Sequence, residues 1–388
     1  MHDLVKKQKK IFYTIPEYEE WRETLSDQGR SWKIKYYKGL GTSTSAEAKE
    51  YFKGLQEHKL EMLWTGDAEN NLVDMCFNSK RANDRKQWIL SHDKGGFANF
   101  NADAMSITEF IKKELVLFSI ADNERSLPSV VDGFKNSQRK VLFAALKRNL
   151  VHEIRVAQLA GYTSEHAAYH HGEASLNGTI VGMAQTYVGS NNMNMLYPGG
   201  QFGTRFQGGN DAASPRYIHT QLSELARLVF HPDDDALLNY LDDDGVSIEP
   251  DYYCPIIPMI LVNGASGIGT GWSCKIPNFN PRDIVENLRN LIASETPCME
   301  EMNPMLPWYH GFEGTIEREF HKKKGFEGRY TVRGCAERLD EKTIRITELP
   351  IGTWTENYKN FLYDEKNFPD GFLDDIKENH TDTTEVLV

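Results

Sequence analysis

Between Tyr197 and Asn210 the chain reads Tyr197-Pro198-Gly199-Gly200-Gln201-Phe202-Gly203-Thr204-Arg205-Phe206-Gln207-Gly208-Gly209-Asn210. A run this rich in glycine disfavours regular helix or strand, because each glycine in an element interior costs roughly 0.5–1 kcal/mol relative to alanine. It must fold as a loop. Asp211-Ala212-Ala213-Ser214-Pro215-Arg216-Tyr217 follows directly. Beyond it, Ile218, Leu222, Leu225 and Val229 recur at spacings of four, three and four, which predicts a helix packed on one face. Tyr217 therefore stands at the edge of a loop with a cation beside it. A phenol ionises near ~10 and is a poor nucleophile at neutral pH. A guanidinium cannot take its proton, but it stabilises a phenolate and the charge on a phosphoryl group. Arg216-Tyr217 suits attack on a phosphodiester. On its own the dipeptide is more often a partly buried packing tyrosine in front of a helix, and the rest of the chain has to decide.

The 388 residues are 40% hydrophobic and 26% charged, ordinary globular composition with room for two or three domains. No apolar run approaches the ~20 residues of a membrane span, and no secretory signal opens the chain. The five cysteines (Cys76, Cys254, Cys274, Cys298, Cys335) form no C-x-x-C pair, so neither a disulfide framework nor a zinc site is indicated, and a reducing compartment is expected. The net charge of −12 is unevenly spread: +2 over residues 1–100, +1 over 101–220 and −15 over 221–388. The first 220 residues can thus present a local basic face, and local potential governs phosphate binding. The acidic runs Asp233-Asp234-Asp235 and Asp242-Asp243-Asp244 are expected as solvated loops.

Along the chain, Ile11-Phe12-Tyr13 and the alternating Ser31–Tyr37 predict strands. The second runs into Lys38-Gly39-Leu40-Gly41-Thr42, a glycine turn. Ser43 or Ser45 is the expected cap of a helix over Ala46–Leu55. Residues 60–105 read as a connector with a helix over Lys80–Leu90. A helix follows from Ser106 and breaks over Ala121–Pro128. A second starts near Ser137. On its helical wheel Arg139, Lys140, Lys147 and Arg148 share one half and Val141, Leu142, Ala145 and Leu146 the other. That is either a solvated face or a helix whose cations reach DNA phosphates. In His166-Ala167-Ala168-Tyr169-His170-His171-Gly172-Glu173 the adjacent histidines point apart, so they do not chelate one metal, but either can donate to a phosphate oxygen. Pro255–Val262 predicts a buried strand. Asn263-Gly264-Ala265-Ser266-Gly267-Ile268-Gly269-Thr270-Gly271-Trp272 is either a tight packed turn or a corner that frees Ile268 to enter a base step. A helix is expected near Pro281 and strands over Arg329–Arg333 and Thr343–Thr347, and Glu385–Val388 is expected to belong to a longer element.

Taken together, Lys35–Thr42, Asp132-Gly133-Phe134-Lys135 with Gln138-Arg139-Lys140, Tyr169–Glu173, Phe202-Gly203-Thr204-Arg205, Asp211–Tyr217 and Asn263–Trp272 resemble eukaryotic-type DNA topoisomerase II (type IIA) in order and spacing. The likeness spans nearly the whole chain. Bacterial gyrase and topoisomerase IV split these segments between two separate polypeptides, so one chain carrying both favours the fused form, including viral relatives. The resemblance implies a multidomain, mixed α/β (α+β) fragment of the breakage-reunion core. Its parts would be the C-terminal part of a TOPRIM domain (1–60), a connector (61–105), a winged-helix domain with the catalytic tyrosine (106–250) and a partial, truncated tower domain (251–388). It implies Tyr217 as the nucleophile of a transient 5′-phosphotyrosyl bond, Arg216 as the transition-state cation, and His171, Arg125 and Lys135 at the scissile phosphate. Lys38, Arg139, Lys140, His170 and Arg205 would contact DNA, and Ile268 would insert between base pairs.

The parent enzyme would use Mg²⁺ and ATP, with the ligands of both outside this chain, act on double-stranded DNA as a homodimer, and reside in the nucleus. Asn210 departs from the family's lysine, removing one cation near the tyrosine. With the metal-binding carboxylates, the ATPase and the exit gate expected elsewhere, this chain alone should bind DNA and cleave little. The alternative is a non-catalytic DNA-binding or interaction fragment.

Overall fold

The computed structural model describes residues 2–3, 9–26, 31–35, 37, 43–93, 96, 98–100, 102–243, 245–295, 302–321, 325–364, 367, 373, 375–379 and 386–387. The turn Lys38–Thr42, Asp244 and Cys298 lie outside the described residues. The chain forms two compact units: Met1–Asn123 with Gly269–Trp272, and Glu124–Ile268 with Ser273–Val388. The described residues mix helix and sheet, as the sequence implied.

The first unit is built from short, locally capped pieces. Phe12 is not in a strand but packs against Tyr18 and Trp21, at ring separations of 5.8 and 5.0 Å, on the helix Ile15–Glu23. Trp32 lies in a strand of only two residues, Trp32–Lys33. The helix Ser45–Lys53 is capped by Thr44, neither Ser43 nor Ser45. The Thr44 hydroxyl accepts from the Glu47 N–H at 3.3 Å, and the Glu47 carboxylate accepts from the Thr44 N–H at 2.7 Å. Within 60–105 the helix Ala82–Leu90 is joined by a second, Asp67–Phe77, and Glu61–Leu63 pairs in parallel with Ala104–Ser106. Glu69, fully buried, accepts from the N–H groups of Thr65 and Thr108, and the Thr65 bond holds its carboxyl below the ordinary value. Ser106 caps the helix Ile107–Phe110, which continues through a wider turn at Ile111–Leu115 into Val116–Ser126.

The second unit has a contiguous core. Helices Asn136–Lys147, Val156–His166 and Glu173–Ala184 pack on one another around Leu142, Leu159, Leu176 and Ile180. The first of these ends on Asn149 in the left-handed region (φ 48°), with Asn149 N–H on Leu146 O and Leu150 N–H on Ala145 O, an arrangement that satisfies the last carbonyls. A hairpin, Tyr240–Asp243 with Val246–Pro250, packs against the same helix. Asp242 and Asp243 therefore lie in a strand, and Asp233–Asp235 in a 3₁₀ turn, Pro232–Leu237.

Two expectations fail here. No helix follows Tyr217. Residues His219–Thr220 form a strand with Ile154–Arg155, and only Ala226–Val229 turns helical. Ile218 and Leu222 reach the core from extended backbone, because His219 exchanges both of its backbone bonds with Gly199 and Leu222 N–H goes to Leu150 O. Pro255–Val262 is not a strand either. Pro258 precedes a helical turn at Met259–Val262, and prolines there withhold the N–H groups a ladder needs. The expected helix at Pro281 runs to Ala293 with Asn280 as its cap. The expected strand Arg329–Arg333 lies within Gly325–Arg333, paired with Thr315–His321, and the expected Thr343–Thr347 is shifted by one residue to Ile344–Glu348, paired with Cys335–Arg338. Among the described residues no helix is long and apolar enough to cross a membrane.

Candidate functional site

The glycine-rich run folds back on itself and delivers Arg216-Tyr217 to the surface. At its base Gln185 donates to the carbonyls of Phe202 (2.8 Å) and Gly209 (3.3 Å). Gly203 adopts φ +93°, and a side chain there would run into the Gly209 backbone, so glycine is required on both grounds. The Asp211 carboxylate closes the loop. It accepts from Thr204 N–H at 2.8 Å and from the Thr204 hydroxyl at 2.5 Å. Ala213 N–H then bonds Gln201 O at 2.9 Å. Downstream, Pro215 O accepts from Ala157 N–H (3.1 Å) and Ile218 O from Val156 N–H (3.0 Å). These two donors are first-turn amides of the helix Val156–His166, groups that need outside partners.

The tyrosine is thus pinned through its backbone on both sides while its ring remains 76% exposed. Arg216 is exposed beside it. With Ile218 beside it buried, the exposed Tyr217 phenol does not act as a packing residue.

The other expected site residues fall into two groups. His170 and His171 are exposed and follow the far end of the helix Val156–His166. His170 Nε2 lies 3.5 Å from Asp243 Oδ2, and the His171 ring meets Tyr169 edge-on at 5.4 Å. That helix has eleven residues and is about 16 Å long, so Tyr217 and His171 flank opposite ends of it rather than sharing a hydrogen bond. Arg125 is exposed, Lys135 is half-buried at the entry to the helix Asn136–Lys147, and Ile268 is 81% exposed on the strand Ala265–Ile268, paired with Ser273.

Arg139, Lys140 and Arg205 are buried and committed to carboxylates, which overturns the reading of the helix Asn136–Lys147 as carrying one continuous basic face. Arg139 makes a two-pronged bond to Asp132 (Nε–Oδ2 2.8 Å, Nη2–Oδ1 3.1 Å), whose oxygens also accept from Phe134 N–H and Tyr253 N–H. Lys140 Nζ meets Glu249 at 2.8 Å and donates to Ala167 O, tying down the turn that carries the histidines. Arg205 Nη2 lies 2.5 Å from Glu348 and donates to Leu349 O. The helical wheel misleads because a cation's sequence does not reveal whether an acid waits for it in the interior. Asp132, Glu249 and Glu348 lie 7, 109 and 143 residues from their partners, and only the first is a sequence neighbour.

The family model for the A-type polypeptide of DNA gyrase/topoisomerase IV matches residues 125–388. The chain belongs to this topoisomerase family. The C-terminal associated domain of TOPRIM matches residues 2–123. Relatives of this topoisomerase chain include DNA topoisomerase 2 of Arabidopsis thaliana, 53% identical over 351 residues, covering 90% of the chain and 23% of that protein. They also include human DNA topoisomerase 2-alpha, 48% identical over 396 residues, covering 97% and 25%. The chain therefore spans about a quarter of the length of the curated relatives it matches. The crystal structure of the Plasmodium falciparum topoisomerase II DNA-binding, cleavage and re-ligation domain superposes with a TM-score of 0.79 at 45% identity, over 98% of this chain and 51% of that one. A likeness of that extent to a cleavage domain does not favour the non-catalytic alternative.

Proposed function

We propose that the chain is part of the DNA breakage-reunion core of an ATP-dependent type II DNA topoisomerase, in which Tyr217 makes a transient double-strand break for strand passage. The observation that carries this is the exposed Tyr217 ring on a backbone fixed from both sides, with Arg216 adjacent. The phenolate oxygen attacks a backbone phosphorus. The P–O3′ bond breaks as the P–O(Tyr) bond forms, and the proton lost by the phenol is matched by one gained at the 3′ oxygen. One phosphodiester replaces another, so rejoining is the same step reversed. Arg216 stabilises the charge that builds on the phosphoryl oxygens. His171, Arg125 and Lys135 are assigned to the scissile phosphate, Lys38 and His170 to flanking DNA, and Ile268 to a base step. Arg139, Lys140 and Arg205, buried against carboxylates, are assigned instead to holding these segments in place.

The same proposal reads 1–60 as the end of a TOPRIM domain, 61–105 as a connector, 106–250 as a winged-helix domain and 251–388 as part of a tower. It takes the whole enzyme to be a nuclear homodimer using ATP and Mg²⁺. Among the described residues no three His, Cys, Asp or Glu side chains cluster closely enough to hold a metal ion, so the described residues do not fit a resident Mg²⁺.

The test is covalent trapping. The chain is incubated with DNA labelled at the 5′ or the 3′ end, in Mg²⁺, with and without a separately expressed TOPRIM half, then denatured. Protein-linked 5′ ends with the second half present, and none with Tyr217→Phe, are expected. Undiminished attachment in Tyr217→Phe would overturn the assignment.

A further inference from the structure

Thr204 and Asp211 are half-buried, at the two ends of a seven-residue excursion, and the carboxylate takes both donors of one residue, its N–H and its hydroxyl. Gly209 N–H adds a bond to Thr204 O at 2.9 Å, so Thr204 is held through three of its polar groups. The chain then has only six residues to run from Asp211 to Tyr217, and the far end of that run is fixed through Pro215 O and Ile218 O. The Thr204–Asp211 clamp is therefore the charged anchor at the start of this run, and Ala213 N–H on Gln201 O carries its hold toward the tyrosine. Charge-assisted bonds to a carboxylate are shorter and stronger than neutral ones, which makes this anchor stiff.

We propose that Thr204 and Asp211 are positioning residues for the nucleophile: their clamp fixes the backbone of Arg216-Tyr217 before DNA arrives, so that the tyrosine meets the phosphorus without first being ordered. The inference rests on the reading of Tyr217 as the nucleophile. Neither clamp residue touches DNA in this scheme, so the clamp acts on the rate of breakage and rejoining and leaves DNA affinity alone.

Thr204→Val keeps the shape and the N–H but deletes the hydroxyl that donates to Asp211 and accepts from Phe206 N–H at 3.2 Å, and Thr204→Ser keeps the hydroxyl and both donors. Losing the bond to the charged acceptor, together with the Phe206 N–H bond, should slow covalent attachment roughly tenfold or more. In the chain completed by the TOPRIM half, the expected result is a slower rate of 5′-linked product for Thr204→Val and Asp211→Asn at unchanged DNA affinity, and a near-normal rate for Thr204→Ser. Faster amide exchange over 211–217 in Thr204→Val, read without any DNA, should accompany it. Wild-type rates in Thr204→Val, or a loss equally large in Thr204→Ser, would overturn the proposal. If the unaltered chain forms no adduct although exchange over 211–217 responds as described, the nucleophile assignment is what has failed, and the positioning role falls with it.

Discussion

Asp132 in the second unit and Glu47 in the first do the same local job in opposite surroundings. Each carboxylate gathers a cation and a backbone N–H: Arg139 with Phe134 and Tyr253 for Asp132, Lys35 with Thr44 for Glu47. Asp132 is fully buried, whereas Glu47 is half-buried and Lys35 exposed. The contrast extends to the apolar side chains. Among the described residues the first unit buries only Met75, Ala98, Met105, Ile111 and Val116. The second unit surrounds its charges with a continuous core. Breaking a buried ion pair leaves a charge with no water to solvate it, while breaking an exposed one costs little. The second unit can therefore fix the tyrosine loop rigidly, and the first relies on short-range caps.

The sharpest way to break this comparison is Asp132→Ala. It strands the Arg139 guanidinium and should destabilise the second unit by about 3–5 kcal/mol, read as a drop in the denaturation midpoint. A loss below ~1 kcal/mol, the range of a surface pair, would erase the distinction. Next in size is Phe230→Ala. Phe230 is 2% exposed between Phe134 and Tyr253, and its truncation should cost roughly 3–5 kcal/mol. Phe77→Ser in the first unit, 74% exposed at the start, should stay within about 0.5 kcal/mol.

A smaller effect is expected from pH. The Thr44 N–H above all, then Tyr37 and Lys35, hold the Glu47 carboxyl well below its ordinary value. A carboxylate whose folded value is depressed contributes stability above its unfolded value near ~4.3, and that contribution disappears as pH falls below it. Protease nicking around Ser45–Lys53 should therefore increase on acidification below about pH 4, and Glu47→Gln should remove that dependence. Smallest of all, Tyr217→Phe should leave stability within about 0.5 kcal/mol of wild type, because the hydroxyl it removes belongs to an exposed ring.

Much of the site is legible in the sequence, and what is not has a common cause. The glycine-rich run announces a loop because backbone conformation is a local property, and Gly203 meets that expectation. The starts of the helices at Ser106 and Pro281 are readable for the same reason. Misreadings arise wherever distant residues decide. Ile218, Leu222, Leu225 and Val229 fit a helical spacing, but pairing with Gly199 and Leu150 draws the start of that run into extended form. Arg139, Lys140 and Arg205 look like cations for phosphate, and buried acids claim them. The exposure of Tyr217 is not written in its neighbours at all, since Asp211, Thr204 and the amides of Val156 and Ala157 hold it jointly from separate parts of the chain.

The role proposed for Tyr217 is to join DNA. Mass spectrometry of the peptide left on DNA, after trapping with the TOPRIM half and digestion, tests it most directly. A phosphonucleotide is expected on the peptide containing Tyr217, and on no other. The same mass on a peptide holding a different tyrosine, with Tyr217 unmodified, would contradict it.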